Sequence, residues 1–254
     1  MNIVFIHGLA GSRRFFSGLE GGLSKILGAK TLSFDLLGFG EQRHAKSNFT
    51  AEDHLQFISK AVNTAFGTEP VVLIGHSLGG VLALLWAKQN QERVKGIILL
   101  NTPLGETSEE ITASIGDLKQ STLGWGYLIL KHRFLAHISC NILCRFNLMR
   151  LFHFAKPPFV PDEVFEDYHK HTWDSLTETF EHIVIKHPAK PVIESLTQIP
   201  ILIFAGSNDS ALMRVHPTAQ NITYAELSGG HFTILEHPEQ SLQSIFTFLN
   251  GVQR

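Results

Sequence analysis

The stretch PVVLIGHSLGGVLALLWA, Pro70 to Ala87, begins as an apolar, β-branched run (Val71, Val72, Leu73, Ile74). It turns on Gly75-His76-Ser77-Leu78-Gly79 and continues as an apolar run with no helix breaker before Asn90. A buried strand, a sharp turn and a helix make the setting in which G-x-S-x-G lifts a serine hydroxyl clear of a sheet. Gly75, Gly79 and Gly80 fit that geometry, because a Cβ would clash where strand and helix cross so closely. Ser77 is therefore the candidate nucleophile.

Outward from this elbow, short β-branched runs alternate with longer helical patterns. Strands are expected at Ile3–Ile6, Thr31–Phe34, Val71–Ile74, Gly96–Leu100, Ile201–Ala205 and Thr223–Leu227, and helices near Phe16–Leu27, Ala51–Phe66, Leu78–Lys88 and Pro238–Leu249. Near-continuous hydrophobicity in the central strands predicts burial on both faces, as in a parallel sheet covered by helices. The fold class is α/β, a doubly wound, mostly parallel sheet of about six strands. Between about Pro103 and Leu196 the alternation stops, and an aromatic-rich stretch reads as several helices inserted between consecutive strands. The expected division is 1–102 and 196–254 for the sheet-forming core and 103–195 for the helical insert.

Composition narrows the function classes. A chain of 254 residues that is 44% hydrophobic can bury a large core, and a formal net charge of −2 gives no electrostatic case for nucleic-acid binding. No basic stretch precedes an apolar leader at MNIVFIHG, which argues against secretion, and no apolar run is long enough to span a membrane. A cytoplasmic protein is the expectation. Cys140 and Cys144 stand one helical turn apart, and the expectation is small buried apolar residues, not a disulfide. No metal or cofactor is expected.

A serine hydroxyl needs a base, and the base needs an orienting carboxylate. Where the serine sits on such an elbow, the chain order is serine, acid, histidine. Asp209, in GSNDS beyond the strand Ile201–Ala205, is the candidate acid; an acid after the preceding strand is the alternative, but Asn101 occupies that place. His231, in SGGHFTILEHPE, is the candidate base. His187 and His237 are its rivals, with His237 read as a capping or packing residue at a helix start. Two backbone N–H groups should receive the developing oxyanion: that of Leu78, behind the nucleophile, and that of Leu9 in HGLAG. His7 is read as holding this loop by hydrogen bonds.

HGLAG, DLLGFGEQ at Asp35–Gln42, GHSLGG, Asp209 and GGHFTILEHPE together resemble the α/β-hydrolase superfamily in order and spacing. The resemblance covers roughly residues 1–102 and 196–254. It implies a Ser77–His231–Asp209 triad under a helical cap, and hydrolysis of an ester or thioester through an acyl-enzyme. Members usually open with an antiparallel hairpin that this chain lacks, so the sheet is expected to be shortened. Ser77 disfavours the branches that use an aspartate nucleophile.

From Leu118 to Pro161 no Asp or Glu occurs, while Lys119, Lys131, Arg133, Arg145, Arg150 and Lys156 do. A basic, apolar segment over the site suggests a substrate with an apolar acyl chain and an anionic group, with Arg133, Arg145, Arg150 and Trp125 as candidate contacts. Acyl carrier protein or coenzyme A thioesters fit. The character is similar to pimeloyl-carrier-protein methyl ester carboxylesterases. A lid with solvated arginines and a membrane-surface segment are the other readings. Two further functions remain open: a triad-bearing lyase of the menaquinone-synthesis type, and a catalytically silent binding module on the same fold.

Overall fold

In the computed structural model, residues 1–115, 132–145, 154, 156–210 and 219–252 are described. Six strands form one sheet: β1 (Asn2–Ile6), β2 (Lys30–Ser33), β3 (Val71–His76), β4 (Val94–Leu100), β5 (Ile201–Gly206) and β6 (Ile222–Leu227). Their order is β2-β1-β3-β4-β5-β6, and every neighbouring pair is parallel. All six expected strands are present, within two residues at each end. β2 forms the edge beside β1, so among the described residues no antiparallel hairpin lies beyond it.

The strands β1, β3 and β5 are buried along their whole length because both faces are covered. Val4, Ile6, Leu73, Ile97, Leu99, Ile201 and Ile203 pack on one face against α2 (Ala51–Phe66) and α3 (Leu78–Gln89). Ile3, Phe5, Val72, Ile74, Ile98, Leu100, Leu202 and Phe204 face the other side, against α1 (Ser17–Leu27) and the C-terminal helix Pro238–Val252. This alternation is the two-residue period of a strand read twice, once per face. Each such side chain contributes roughly 1.5–3 kcal/mol by leaving water.

Between β4 and β5 the chain forms α4 (Ser108–Ile115), α5 (Arg133–Arg145), α6 (Asp162–Asp167), α7 (Trp173–Thr179), a π-helical turn (Phe180–Ile185) and α8 (Ala189–Ser195). After β6 come α9 (Thr233–Glu236) and α10 (Pro238–Val252). The described part of this insert contains no strand, only an isolated bridge from Phe39 to His171. Its last part joins the sheet's own helical layer: Ile183, Val184, Ala189, Ile193 and Leu196 belong to the same buried cluster as α3. Its middle part hangs on loops after the strands, through Gly40 N–H to Lys170 O at 2.8 Å, Ser175 Oγ–H to Gly38 O at 2.8 Å and Ser12 Oγ–H to Asp167 at 2.6 Å.

Two consequences position the site. β1 is flanked by β2 on one side and β3 on the other, so the strand order reverses between β1 and β3, the point at whose carboxyl ends open α/β sheets bind their ligands. The inserted helices hang over that same end. No helix among the described residues is long and apolar enough to cross a membrane.

Candidate active site

β3 ends at His76, and Ser77 follows with φ 53° and ψ −120°, a left-handed conformation that L residues rarely adopt. The chain can turn this sharply because α3 begins at once and lies against the strand. A Cβ on Gly75 would come within 2.6 Å of Gly80 Cα, and one on Gly79 within 2.6 Å of the His7 carbonyl oxygen. The elbow is fixed from below by the Ser77 N–H, which donates to Leu100 O at 2.9 Å. Ser77 itself is 5% exposed.

Asp209 and His231 arrive from the loops after β5 and β6. His231 Nδ1 and Asp209 Oδ2 are 3.0 Å apart, both side chains essentially excluded from water. It is His231, and not His187 or His237, that pairs with Asp209. His237 caps with its backbone: its N–H donates to Thr233 O and its carbonyl accepts the Ser241 N–H. Burial pushes the Asp209 carboxyl pKa up, but the charge on His231 and hydrogen bonds from His231, Asn101 and the Ser210 N–H outweigh it, so the net shift is downward. The carboxylate is thus held ionised beside the imidazole. His231 Nε2 is buried and has no hydrogen-bond partner among the described residues, which leaves it available to a neighbouring proton.

The elbow and the imidazole belong to one cluster. The His76 ring lies 4.9 Å from that of His231, and His76 Nε2–H donates to the His231 carbonyl at 2.9 Å. Burial, and then the neighbouring His231, lower the His76 pKa to about 3, so this ring stays neutral. Phe15 stacks on its other flank at 4.3 Å.

The HGLAG loop packs directly on the elbow. A Cβ on Gly8 would meet His76 Nδ1 at 2.8 Å and Ser77 Cβ at 3.1 Å, so only glycine allows this approach. His7 holds the loop as the sequence suggests. Its Nδ1–H donates to Gly8 O at 2.8 Å, and its Nε2 accepts the Leu36 N–H at 2.9 Å. These two bonds fix the tautomer, and burial lowers the ring's pKa, keeping it neutral. Asp35 takes the Arg13 N–H on one oxygen and the Glu41 N–H on the other, tying the loop after β2 to the same region. Leu78 opens α3, where the first N–H groups have no partner within the helix.

Four non-glycine residues among those described have positive φ: Ala10, Phe49, Ser77 and Asn101. Three of the four lie in this constellation, in the HG loop, at the elbow and beside the acid. Strain of that kind persists where the surroundings over-determine it, as at functional sites.

The sequence matches the alpha/beta hydrolase fold family over residues 2–238. The chain belongs to that family. Mouse sn-1-specific diacylglycerol lipase ABHD11 is 24% identical over 257 aligned residues, covering 97% of this chain and 80% of the lipase. The putative 2-succinyl-6-hydroxy-2,4-cyclohexadiene-1-carboxylate synthase of Haemophilus influenzae is 30% identical over 114 residues, 43% of this chain and 44% of that protein. The match to the probable lysophospholipase BODYGUARD 4 of Arabidopsis thaliana, 30% identical over 110 residues, takes in 43% of this chain and only 26% of the plant protein. Among solved structures, MenH from S. aureus superposes with a TM-score of 0.69 at 17% identity, covering 100% of this chain and 95% of that one. A thermophilic esterase from Thermogutta terrifontis superposes with a TM-score of 0.67 at 20% identity, over 100% and 91% of the two chains. At these identities the structural likeness is one of fold.

The insert that this α/β hydrolase carries meets the site through Tyr168, whose ring lies 6.0 Å from Phe232, the residue after His231. The Tyr168 hydroxyl is buried without a hydrogen-bond partner among the described residues, and burial pushes its pKa up, so it keeps its proton. Of the basic residues expected to contact substrate, Arg133 pairs with Glu181 at 2.7 Å with its side chain 56% exposed. Arg145 ends α5, but its side chain, like all of Trp125 and Arg150, lies outside the described residues. Phe134, Leu135, Ile138 and Ile142 give α5 an exposed apolar face. Cys140 is buried, with Sγ 3.5 Å from His171 Nε2.

Three residues were not readable as parts of the site: Asn101, His76 and Asp167. Asn101 stood out only as an absent acid, and His76 only as the variable residue of the elbow. Asp167 carries no local signal at all, since its partner Ser12 is 155 positions away. No metal-holding group of His, Cys, Asp and Glu occurs among the described residues.

Proposed function

We propose that this α/β hydrolase cleaves a carboxylic ester or thioester through an acyl-enzyme on Ser77. The observation that carries the reading is a serine on a strained elbow in one buried cluster with an imidazole. One nitrogen of that imidazole is engaged by an ionised carboxylate, and the other is uncommitted. In the proposed reaction His231 Nε2 takes the Ser77 hydroxyl proton as Oγ attacks the carbonyl carbon. Asp209 stabilises the imidazolium without itself becoming protonated. The N–H groups of Leu78 and Leu9 receive the oxyanion. His231 then returns the proton to the leaving alcohol or thiol, and a water activated by the same imidazole hydrolyses the acyl-enzyme. In this reading the described helices ahead of the π-helical turn act as a cap, reaching the site through Tyr168 and held over it by the bonds from Gly40, Ser175 and Ser12.

The substrate class in this reading is an apolar acyl chain carrying an anionic group. The acid-free, cationic segment Leu118–Pro161 supports the anion. The exposed apolar residues Phe134, Leu135, Ile138 and Ile142 on α5 support the chain. Acyl carrier protein and coenzyme A thioesters fit this description, as does a cytoplasmic setting. The mouse and plant relatives, by name a diacylglycerol lipase and a probable lysophospholipase, support ester chemistry on lipids.

A second reading is favoured by the Haemophilus relative and the MenH structure: the same serine–histidine pair abstracts a substrate proton and the enzyme is a lyase. A fluorophosphonate probe should label Ser77 under either reading; failure to label would overturn both. Turnover of p-nitrophenyl acyl esters of graded chain length, with release of free acid, separates them. Labelling without turnover of any ester or acyl thioester would overturn the hydrolase reading.

A further inference from the structure

Asn101 stands one residue past β4, in the place where an alternative acid could sit. Its backbone is held in a left-handed conformation, φ 46°, by the N–H donating to Phe204 O at 2.8 Å. That conformation turns the side chain inward, where it is 1% exposed. Its Nδ2 faces three acceptors: Asp209 Oδ2 at 2.8 Å, Gly230 O at 3.1 Å and Thr233 Oγ1 at 3.3 Å. A carboxylate and a carbonyl can only accept, so the NH2 side of the amide must point at them. Thr233 Oγ1 in turn donates to Gly230 O at 2.7 Å, and Gly230 N–H is held by the Glu236 carboxylate at 3.0 Å. Gly230 and Thr233 bracket His231 in the chain. One amide therefore touches both the acid and the loop that carries the imidazole, and Asp209 Oδ2 is shared between Asn101 and His231. The other half of the amide, Oδ1, is buried with no partner among the described residues. An unpaired buried acceptor costs stability. Leu, which would remove both polar atoms, could not supply the donor that this place uses, and Asp could do so only while protonated.

We propose that Asn101 is a positioning residue for the Ser77–His231–Asp209 site, fixing the acid and the His231 loop in one frame. The proposal rests on the triad reading above. The titratable groups facing His231 among the described residues are Asp209 and His76, with Glu236 acting on the same loop through the Gly230 N–H; Tyr168 packs on the adjacent Phe232. Asn101→Asp sets a second carboxyl within hydrogen-bond reach of Asp209 with almost no change of shape, and two buried carboxyls that close share a proton, so one donates to the other. The donor is kept while that proton stays and is lost when it leaves at higher pH. Asn101→Leu removes the donor and adds none.

The rate of fluorophosphonate inactivation as a function of pH, on the full chain, reads the basicity of His231 without needing the natural substrate. In Asn101→Asp the rate should stay near wild type at the acid end of the profile and fall as the shared proton leaves at higher pH. In Asn101→Leu the maximal rate should fall roughly tenfold to a hundredfold, the loss of one hydrogen bond to a charged group. A folded Asn101→Leu variant with the wild-type maximal rate overturns the proposal, and if Asn101→Leu does not fold, a near-isosteric Asn101→Asp variant that matches wild type at every pH overturns it. Parallel measurement of Ser77→Ala keeps the two readings apart. Loss of labelling there together with a wild-type rate in Asn101→Leu removes only the role of Asn101. Persistent labelling of Ser77→Ala removes the triad itself.

Discussion

His76 hands its Nε2–H to the backbone carbonyl of His231, 2.9 Å away, so the residue before the nucleophile candidate grips the residue that would serve it as base. In a water-free position that carbonyl has no substitute donor at hand. His76→Leu preserves apolar bulk but leaves the carbonyl unpaired, and should lower the unfolding free energy by about 1–3 kcal/mol. Urea unfolding near pH 8, where the ring is neutral in both states, measures this. Wild-type stability in that variant would show that the bond contributes nothing.

Ser77 stores backbone strain that glycine would not. Ser77→Gly should relieve roughly 1–3 kcal/mol of it, giving a higher Tm than Ser77→Ala, which keeps a Cβ at φ 53°. Both variants should lose turnover by a factor on the order of 10⁶. A Ser77→Gly variant no more stable than Ser77→Ala would show that the elbow is not strained.

Stability should fall in mild acid. Burial lowers the pKa of His54 to about 4 and that of His76 to about 3, against 6.5 in the unfolded chain. A depressed folded pKa means that the unfolded state takes up protons first. The stabilisation is thus complete above the unfolded value and is lost as pH drops below it. By about pH 5 each of the two should cost about 2 kcal/mol, and the lowered pKa of His7 acts in the same direction. Denaturant melts from about pH 8 to about pH 5 read the slope. A flat profile across that window would mean that these imidazoles are charged in the fold.

Asp167 links the insert to the loop that follows β1. One carboxylate oxygen accepts the Ser12 hydroxyl at 2.6 Å, and the other lies 2.6 Å from Lys170 Nζ and 3.5 Å from Arg14. Asp167→Ala should unpin that loop. Amide hydrogen exchange should speed up over Gly8–Arg14 while α3, buried on its own cluster, keeps its protection. Unchanged exchange in the loop would assign its rigidity to His7 and Asp35 alone.

Much of this was legible in the chain because the signals are local. Val71–Ile74, the glycines around Ser77 and the uninterrupted run to Ala87 state strand, turn and helix within eighteen residues. The loop residues Asp209 and His231 could be picked out because each directly follows an apolar run that had to be a central or late strand. His7 was readable as a loop-holder from its place beside Gly8. The part played by Asn101 was not, because its meaning depends on residues 108, 129 and 132 positions further on. The placement of Ala189–Ser195 against α3 was equally hidden: its apolar side chains say that it is buried, not which layer it joins.

The sequence by itself determined where six strands lie along the chain and the elbow at Ser77, because a two-residue period, a 3.6-residue period and a glycine turn are written in neighbouring residues. What holds Asp209 and the His231 loop together was decided only when β4, β5 and β6 came side by side. Parallel pairing sets the carboxyl ends of successive strands next to one another, so groups more than a hundred positions apart share one hydrogen-bond frame. Chemistry made from such contacts has no local spelling.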